Sequence, residues 1–330
     1  MKKQKTKINK VNNIIVAAII AFIFLTFFCC FYYNIPIHSA SLDGVTDYVW
    51  EGNKFFIIAT EGFGCGKTNN EGYFSEINYY DDNEIDVLIM GSSHMQGMSV
   101  GINHNVSTLL SKYSGLNVYN IGTTGHNFKV CVSNLEAALK KYNPRFVVLE
   151  TNRIVFDENE IENIINNNIS NISSNENDLI RFFEKNPFIR WSYSQVRSFI
   201  QQNNNDSEAT NIKSQLNEEK TKELINYIKT IADKSDTKVI IMFHPTIDIL
   251  GDGTIKPNNK ENDSLIFAGI CNDNKIYYLD MTDKYLEEYK NNYIIPTGFI
   301  NTGVAEGHIN KFGHLMMAEE LNRAIKEIDD

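Results

Sequence analysis

Cysteine is scarce in this chain, and none of the five stands in the spacing of a disulfide framework or a zinc site. Cys29 and Cys30 fall inside a long apolar run, which leaves Cys65, Cys131 and Cys271 for everything after it. Redox chemistry therefore has no support. Seven histidines are present, yet His-Glu-x-x-His and similarly compact ligand patterns are missing, so neither a metal nor another cofactor is expected. Basic excess is missing too. The formal charge is −10, and it becomes more negative beyond the lysine-rich tail, which makes nucleic acid a poor partner.

What is present begins with that tail. Residues 1–13 carry Lys2, Lys3, Lys5, Lys7 and Lys10, and the next twenty, Ile14 to Tyr33, carry no charge. Roughly 20 apolar residues suffice to cross a bilayer as a helix. The lysines should stay cytoplasmic, which turns residue 34 onward to the outside. A cleaved signal peptide would have a shorter apolar core, and the nearest small-residue site, His38-Ser39-Ala40, begins with a bulky side chain. The segment reads as a retained signal anchor of a single-pass protein of the cell membrane.

Residues 34–82, rich in Gly, Asn and Tyr, read as an extracytoplasmic stalk leading into a domain over 83–330. Within them, Gly62-Phe63-Gly64-Cys65-Gly66-Lys67-Thr68 imitates a phosphate loop. Glu61 stands where the first glycine of that motif is required, and a nucleotide site is excluded. Short apolar runs then predict strands at Ile85–Met90, Leu116–Ile121, Phe146–Glu150, Lys238–His244 and Ile276–Asp280. Between them lie helical patterns: Val106 to Tyr113, then Phe128, Val132, Leu135, Leu139 and Tyr142, then Leu224, Ile228 and Ile231. Continuous apolar strands alternating with amphipathic helices predict a mainly parallel sheet covered on both faces, a three-layer α/β/α sandwich. An Asn-rich block at about 157–215 interrupts the alternation. It encloses Phe182, Phe183, Phe188, Ile189, Trp191 and Tyr193 and reads as a helical insertion over the carboxyl edge of the sheet.

Ligands of parallel α/β sheets gather beyond the carboxyl ends of the strands. After the first strand comes Gly91-Ser92-Ser93-His94; after the second, Asn120-Ile121-Gly122-Thr123-Thr124-Gly125-His126; after the third, Glu150-Thr151-Asn152-Arg153. Before the last helix stands Gly307-His308-Ile309-Asn310, followed by Gly313-His314. A serine hydroxyl is a weak nucleophile until a base takes its proton, which gives Ser93 and His308 their roles. The Ser93 and Gly125 N–H groups and the Asn152 amide supply donors for an oxyanion. His94 and His126 are placed at the site rim. An α/β-hydrolase elbow is excluded by Met95, which fills the place of the final glycine in Gly-x-Ser-x-Gly.

These four blocks, in this order, resemble those of the SGNH (GDSL-type) hydrolase superfamily, over about residue 84 to the end. The resemblance implies a flavodoxin-like sheet, a Ser93–His308 pair and an oxyanion hole of Ser93, Gly125 and Asn152. The sequence departs from the pattern at Ser92, Glu150 and Arg153, and Ala305 stands where the acid partner of the histidine belongs. Glu306 is the first substitute for that acid and Asp280 the second; a dyad oriented by a backbone carbonyl is a third arrangement.

The Gly-Ser-Ser-His form behind an N-terminal anchor resembles the membrane-anchored subset related to teichoic-acid D-alanylation and alginate O-acetylation proteins. That resemblance implies an esterase or acyltransferase acting on an acylated cell-envelope polymer or glycolipid, beside a membrane-bound O-acyltransferase. The rival from another class is a non-catalytic envelope protein that binds glycan or scaffolds such an acyltransferase.

Overall fold

The computed structural model describes residues 2–41, 44–46, 48–80, 84–166, 185–205 and 216–330. Helix α1 (Lys2–Tyr32) contains the 23-residue stretch Lys10–Tyr32, whose most apolar 18 residues have a mean hydropathy of 3.0, long and apolar enough to cross a membrane. It runs without a break into β1 (Tyr33–Asn34).

The segment expected as a stalk is folded onto the domain. Strand β1 pairs antiparallel with β4 (Phe55–Ile58), which pairs with β5 (Gly64–Lys67), while β2 (His38–Ala40) and β3 (Tyr48–Trp50) form a second pair. The glycine-rich imitation of a phosphate loop is therefore largely a β-strand. Phe56, Phe74, Trp50 and Ile102 bury together as a small core of their own. Glu71 ties this layer to the rest, accepting from Tyr119 Oη (2.6 Å), Tyr142 Oη (2.9 Å) and Lys141 Nζ (2.5 Å). The sequence concealed this layer because its strands are two to four residues long and carry little alternation.

The five strands anticipated from apolar runs all form. They are β6 (Val87–Met90), β7 (Val118–Asn120), β8 (Phe146–Thr151), β9 (Lys238–Phe243) and, after the short pair β10 (Ile247–Ile249) and β11 (Ile255–Pro257), β12 (Tyr277–Asp280). They make one parallel sheet in the order β12-β9-β8-β6-β7. Counted from its first strand, the sheet has the flavodoxin-like order 2-1-3-4-5.

Alternate strand residues point to opposite faces. Leu88, Met90, Val147, Leu149, Val239 and Ile241 enter one core, with Val132, Leu139, Ile228 and Phe267 from helices. Val87, Ile89, Phe146, Val148, Ile240 and Met242 enter the other, with Leu110, Tyr285, Met317 and Leu321. The sheet is thus covered on both faces, as a three-layer sandwich requires.

Around it lie α2 (Ser93–Gln96), α3 (Val106–Ser114), α4 (Phe128–Ser133), α5 (Leu135–Tyr142), α6 (Glu158–Ile165), α7 (Pro187–Asn205), α8 (Glu218–Lys234), α9 (Glu261–Asp273), α10 (Thr282–Asn292) and α11 (Lys311–Asp329). The single helical pattern read from Phe128 to Tyr142 is two helices, parted at Asn134, whose N–H bonds back to Val130 and Val132 carbonyls. Within the insertion, α6 and α7 form; Phe182 and Phe183 lie outside the described residues. Phe188 and Trp191 of α7 pack against α1.

Removing the Glu71 carboxylate strands three donors at the joint between the two layers. Hydrogen bonds to a charged group contribute roughly 1.5–3 kcal/mol each. Glu71→Ala is expected to destabilise the protein by about 2–3 kcal/mol, read as a lowered thermal midpoint in detergent; an unchanged midpoint would show that this layer is not held through Glu71.

Candidate active site

Strand β6 delivers the serine block. Gly91 packs so tightly under Glu150 that a Cβ would lie 2.7 Å from Glu150 Oε2 and 2.5 Å from Met95 Cγ, so any side chain there would push the block off the sheet. Ser92 caps α2, its Oγ accepting from His94 N–H at 3.3 Å, and Ser93 becomes the first residue of the helix. Its own N–H has no acceptor within the helix. Buried amides fasten this turn from below: Asn120 Nδ2 donates to the Met95 carbonyl (2.8 Å) and Asn105 Nδ2 to the Gln96 carbonyl (2.7 Å).

The histidine arrives from the other end of the chain. Asn310 caps α11 through Phe312 and Gly313 N–H, and its Nδ2 donates to the carbonyls of Ile295 (2.8 Å) and Gly298 (3.1 Å), which fixes the preceding loop. His308 Nε2 then lies 2.8 Å from Ser93 Oγ. Its Nδ1 lies 2.5 Å from Glu61 Oε2, and its backbone N–H donates to Glu61 Oε1 at 2.5 Å. Gly307 has φ +99°, and a Cβ there would meet Glu61 Oε1 at 2.2 Å, so the carboxylate reaches the loop only because this residue is glycine.

Burial opposes the charged form of Glu61, but the bonds from the His308 ring and backbone prevail and hold its carboxyl below the usual range. An ionised carboxylate only accepts, so Nδ1 carries the proton and Nε2 offers its lone pair to the Ser93 hydroxyl.

Glu61 corrects both substitutes for the acid. The Glu306 side chain folds back over Gly303, where a Cβ would stand 2.2 Å from Glu306 Oε2, while its N–H bonds the Gly303 carbonyl at 3.1 Å. Asp280 accepts from Ser264 Oγ (2.5 Å) and Thr282 N–H (2.9 Å) at the start of α10. The dyad arrangement is corrected as well, since a carboxylate rather than a backbone carbonyl orients the ring. Nothing in sequence spacing could reveal Glu61, which is 247 residues from His308 and lies beside the imitation phosphate loop.

A second acid–base pair lies behind the first. Glu150 and His244 are both buried, with Glu150 Oε1 2.6 Å from His244 Nε2, and Glu150 Oε2 accepts the Ser92 N–H at 2.7 Å. Burial works against ionisation, yet His244 and the Ser92 N–H hold this carboxyl at about 2. His94 stands between the pairs, its ring centroid 4.9 Å from that of His244 and 5.1 Å from that of His308. Burial, and then the neighbouring His244, push the His94 pKa down to about 3. The neutral ring accepts the Ile309 N–H on Nδ1 at 3.3 Å. Glu150 thus has a definite place where the resemblance expects glycine. Among the described residues, no three His, Cys, Asp or Glu side chains converge as a metal-ligand set.

A cavity of about 100 Å³ opens beside Ser93, lined also by Ile58, Glu61, His94, Gln96, Thr124 and His308. Thr124 Oγ1 donates to Gln96 Oε1 at 2.6 Å, while Gln96 Nε2 is buried without a partner among the described residues. Gly125 follows Thr124 and is exposed, and Asn152 is exposed at the end of β8; neither lines this cavity. His126 is buried against Tyr48, ring centroids 5.7 Å apart, rather than standing at the cavity rim. Gln96, Glu150 and His244 are site neighbours that sequence reasoning did not assign; Glu150, as a departure from the block pattern, was the one visible sign of them.

A histidine held neutral down to about 3, against 6.5 when free, takes up its proton more readily in the unfolded chain. Its contribution to stability is complete above pH 6.5 and is lost as pH falls toward 3. The thermal midpoint should therefore decline across that window, and His94→Gln should flatten the decline; an unaltered slope in the variant would refute the assignment.

No family profile and no curated protein matches the sequence. Among solved structures, the chain is similar to TesA (13% identity, TM-score 0.41, covering 74% of this chain and 99% of that one). It is also similar to the psychrotrophic esterase EstA from Pseudoalteromonas sp. (13%, 0.39, 74% and 98%) and to the acetyl xylan esterase AlAXEase (16%, 0.41, 73% and 100%). Its own geometry carries the serine, glycine and asparagine blocks after the first three strands of a 2-1-3-4-5 sheet, and the histidine block before the last helix. The parallel 2-1-3-4-5 sheet and the order of these blocks are those that the resemblance to the SGNH (GDSL-type) hydrolase superfamily leads one to expect.

Proposed function

We propose that this protein is a membrane-anchored serine esterase or O-acyltransferase that acts, outside the cytoplasmic membrane, on acyl esters of cell-envelope polymers. The observation that carries the chemistry is the continuous line from Ser93 Oγ through His308 to Glu61. His308 Nε2 takes the hydroxyl proton as Ser93 attacks the ester carbonyl, and Glu61 stabilises the imidazolium that results. The tetrahedral oxyanion is received by the Ser93 N–H at the first turn of α2; Gly125 and Asn152, the other donors expected from the sequence, stand outside this cavity. His308 returns the proton to the departing alcohol and leaves an acyl-serine. Water, or a sugar hydroxyl, then takes the acyl group by the reverse path.

The cavity of about 100 Å³ beside Ser93 suits a short acyl group. Apolar α1 supports the anchor and the lysine tail supports a cytoplasmic N-terminus. A membrane-bound O-acyltransferase is the partner this arrangement would serve. The non-catalytic alternative drew its force from the absent acid at position 305, and Glu61 supplies that function.

Fluorophosphonate labelling of the full chain in detergent tests the nucleophile: wild type should label, and Ser93→Ala and His308→Ala should not. Equal labelling of Ser93→Ala would reject the assignment. On a short-chain nitrophenyl ester, Glu61→Gln should lower kcat by about 10⁴, the scale set by losing a triad carboxylate. Glu306→Gln and Asp280→Asn should stay close to wild type; a loss at Glu306 comparable to that at Glu61 would overturn the acid assignment. For the substrate class, acyl release from envelope fractions, or transfer onto an added glycan, should require Ser93.

A further inference from the structure

The insertion helix α7, expected over the sheet's carboxyl edge, lies instead against the apolar helix α1 and β1. Asn186, just before α7, donates from Nδ2 to Thr26 Oγ1 at 3.2 Å. Four rings then form a ladder along α1: Phe22 to Phe188 (5.8 Å between centroids), Phe188 to Trp191 (6.3 Å), and Trp191 to Tyr32 (6.4 Å). Phe22 and Tyr32 are ten residues apart, about 15 Å of helix, which is the outer half of the apolar stretch Lys10–Tyr32.

A bilayer's hydrocarbon core takes roughly 20 apolar residues. The uncharged run Ile14 to Tyr33 has twenty, so it cannot surrender its outer ten to a water-filled contact and still cross. Whatever packs along those ten residues shares their surroundings. The Thr26–Asn186 pair satisfies its polar groups mutually, as a lipid-facing site demands. Trp191 comes to rest beside Tyr32 at the end of the span, the level at which Trp and Tyr gather in membranes. Tyr193 and Val196, further along α7, remain exposed in the protein alone.

The same end of α1 is bonded to the catalytic layer. Ala59 N–H donates to the Tyr32 carbonyl at 2.9 Å, and Tyr33 pairs with Ile58, a residue of the Ser93 cavity wall. We propose that α7 is a second membrane contact, embedded in the outer leaflet beside α1, and that the two together hold the Ser93 cavity at the headgroup layer, where esters borne on surface-held molecules reach it. The inference rests on α1 being the anchor, and its test separates the two.

Trp50 and Trp191 are the only tryptophans. In liposomes, the emission that wild type has and Trp191→Phe lacks reports Trp191 without disturbing buried Trp50. That difference emission should be quenched at least twofold by lipids brominated near the headgroup, less by lipids brominated near the chain end, and least by aqueous acrylamide. Quenching by acrylamide but not by bromolipid would overturn the proposal. A Phe24→Trp/Trp191→Phe protein, with the new indole on the exposed side of α1, serves as the anchor control. If its added emission is quenched by bromolipid while that of Trp191 is not, the anchor stands and α7 is not embedded. If neither is quenched, anchor and proposal fall together.

Discussion

A single carboxylate, Glu61, joins the two ends of the fold. One oxygen meets the ring of His308 and the other its backbone N–H, so the residue fixes both the tautomer of the base and the path of the loop that carries it. Gly307 is the counterpart of that contact, since any side chain there would occupy the space of the carboxylate oxygen. The Ser93 turn, the Asn310 cap and the β4 strand can each be described separately, but only through Glu61 do they become one site. Two bonds to His308 also explain why burial fails to neutralise the acid.

Behind this line the protein has spent a second buried pair, Glu150 with His244, on holding the serine turn from beneath. A buried carboxylate is costly unless its oxygens are satisfied, and here one oxygen meets the imidazole and the other the Ser92 N–H. The neutral His94 ring separates two carboxylate–histidine pairs that would otherwise crowd. Each carboxylate is matched with its own histidine, and that contact holds each below the usual carboxylate range against the opposing effect of burial.

The sheet was legible in the sequence because buried parallel strands are written as short continuous apolar runs, and all five such runs became strands. Ser93 and His308 were legible because strand ends and helix caps leave local marks. Glu61 was not, because a contact across 247 residues leaves no periodic trace, and because the glycines beside it fit a different motif better. The helix break at Asn134 was hidden for the opposite reason: the apolar spacing runs on unbroken across it. The layer before residue 82 was misjudged as a stalk because two- to four-residue strands hold too few side chains to show a pattern.

The bond from Ala59 to Tyr32, with the pairing of Tyr33 and Ile58, sets where this protein can be cut. A soluble form that begins just after residue 40 discards β1 and leaves β4 as an open sheet edge three residues ahead of Glu61. Strand edges left this way invite pairing with other chains. The functional boundary of the domain thus falls inside the last turn of the apolar helix α1 rather than after it, and a version without that helix needs Tyr32 to Asn34 kept in place or replaced by another strand.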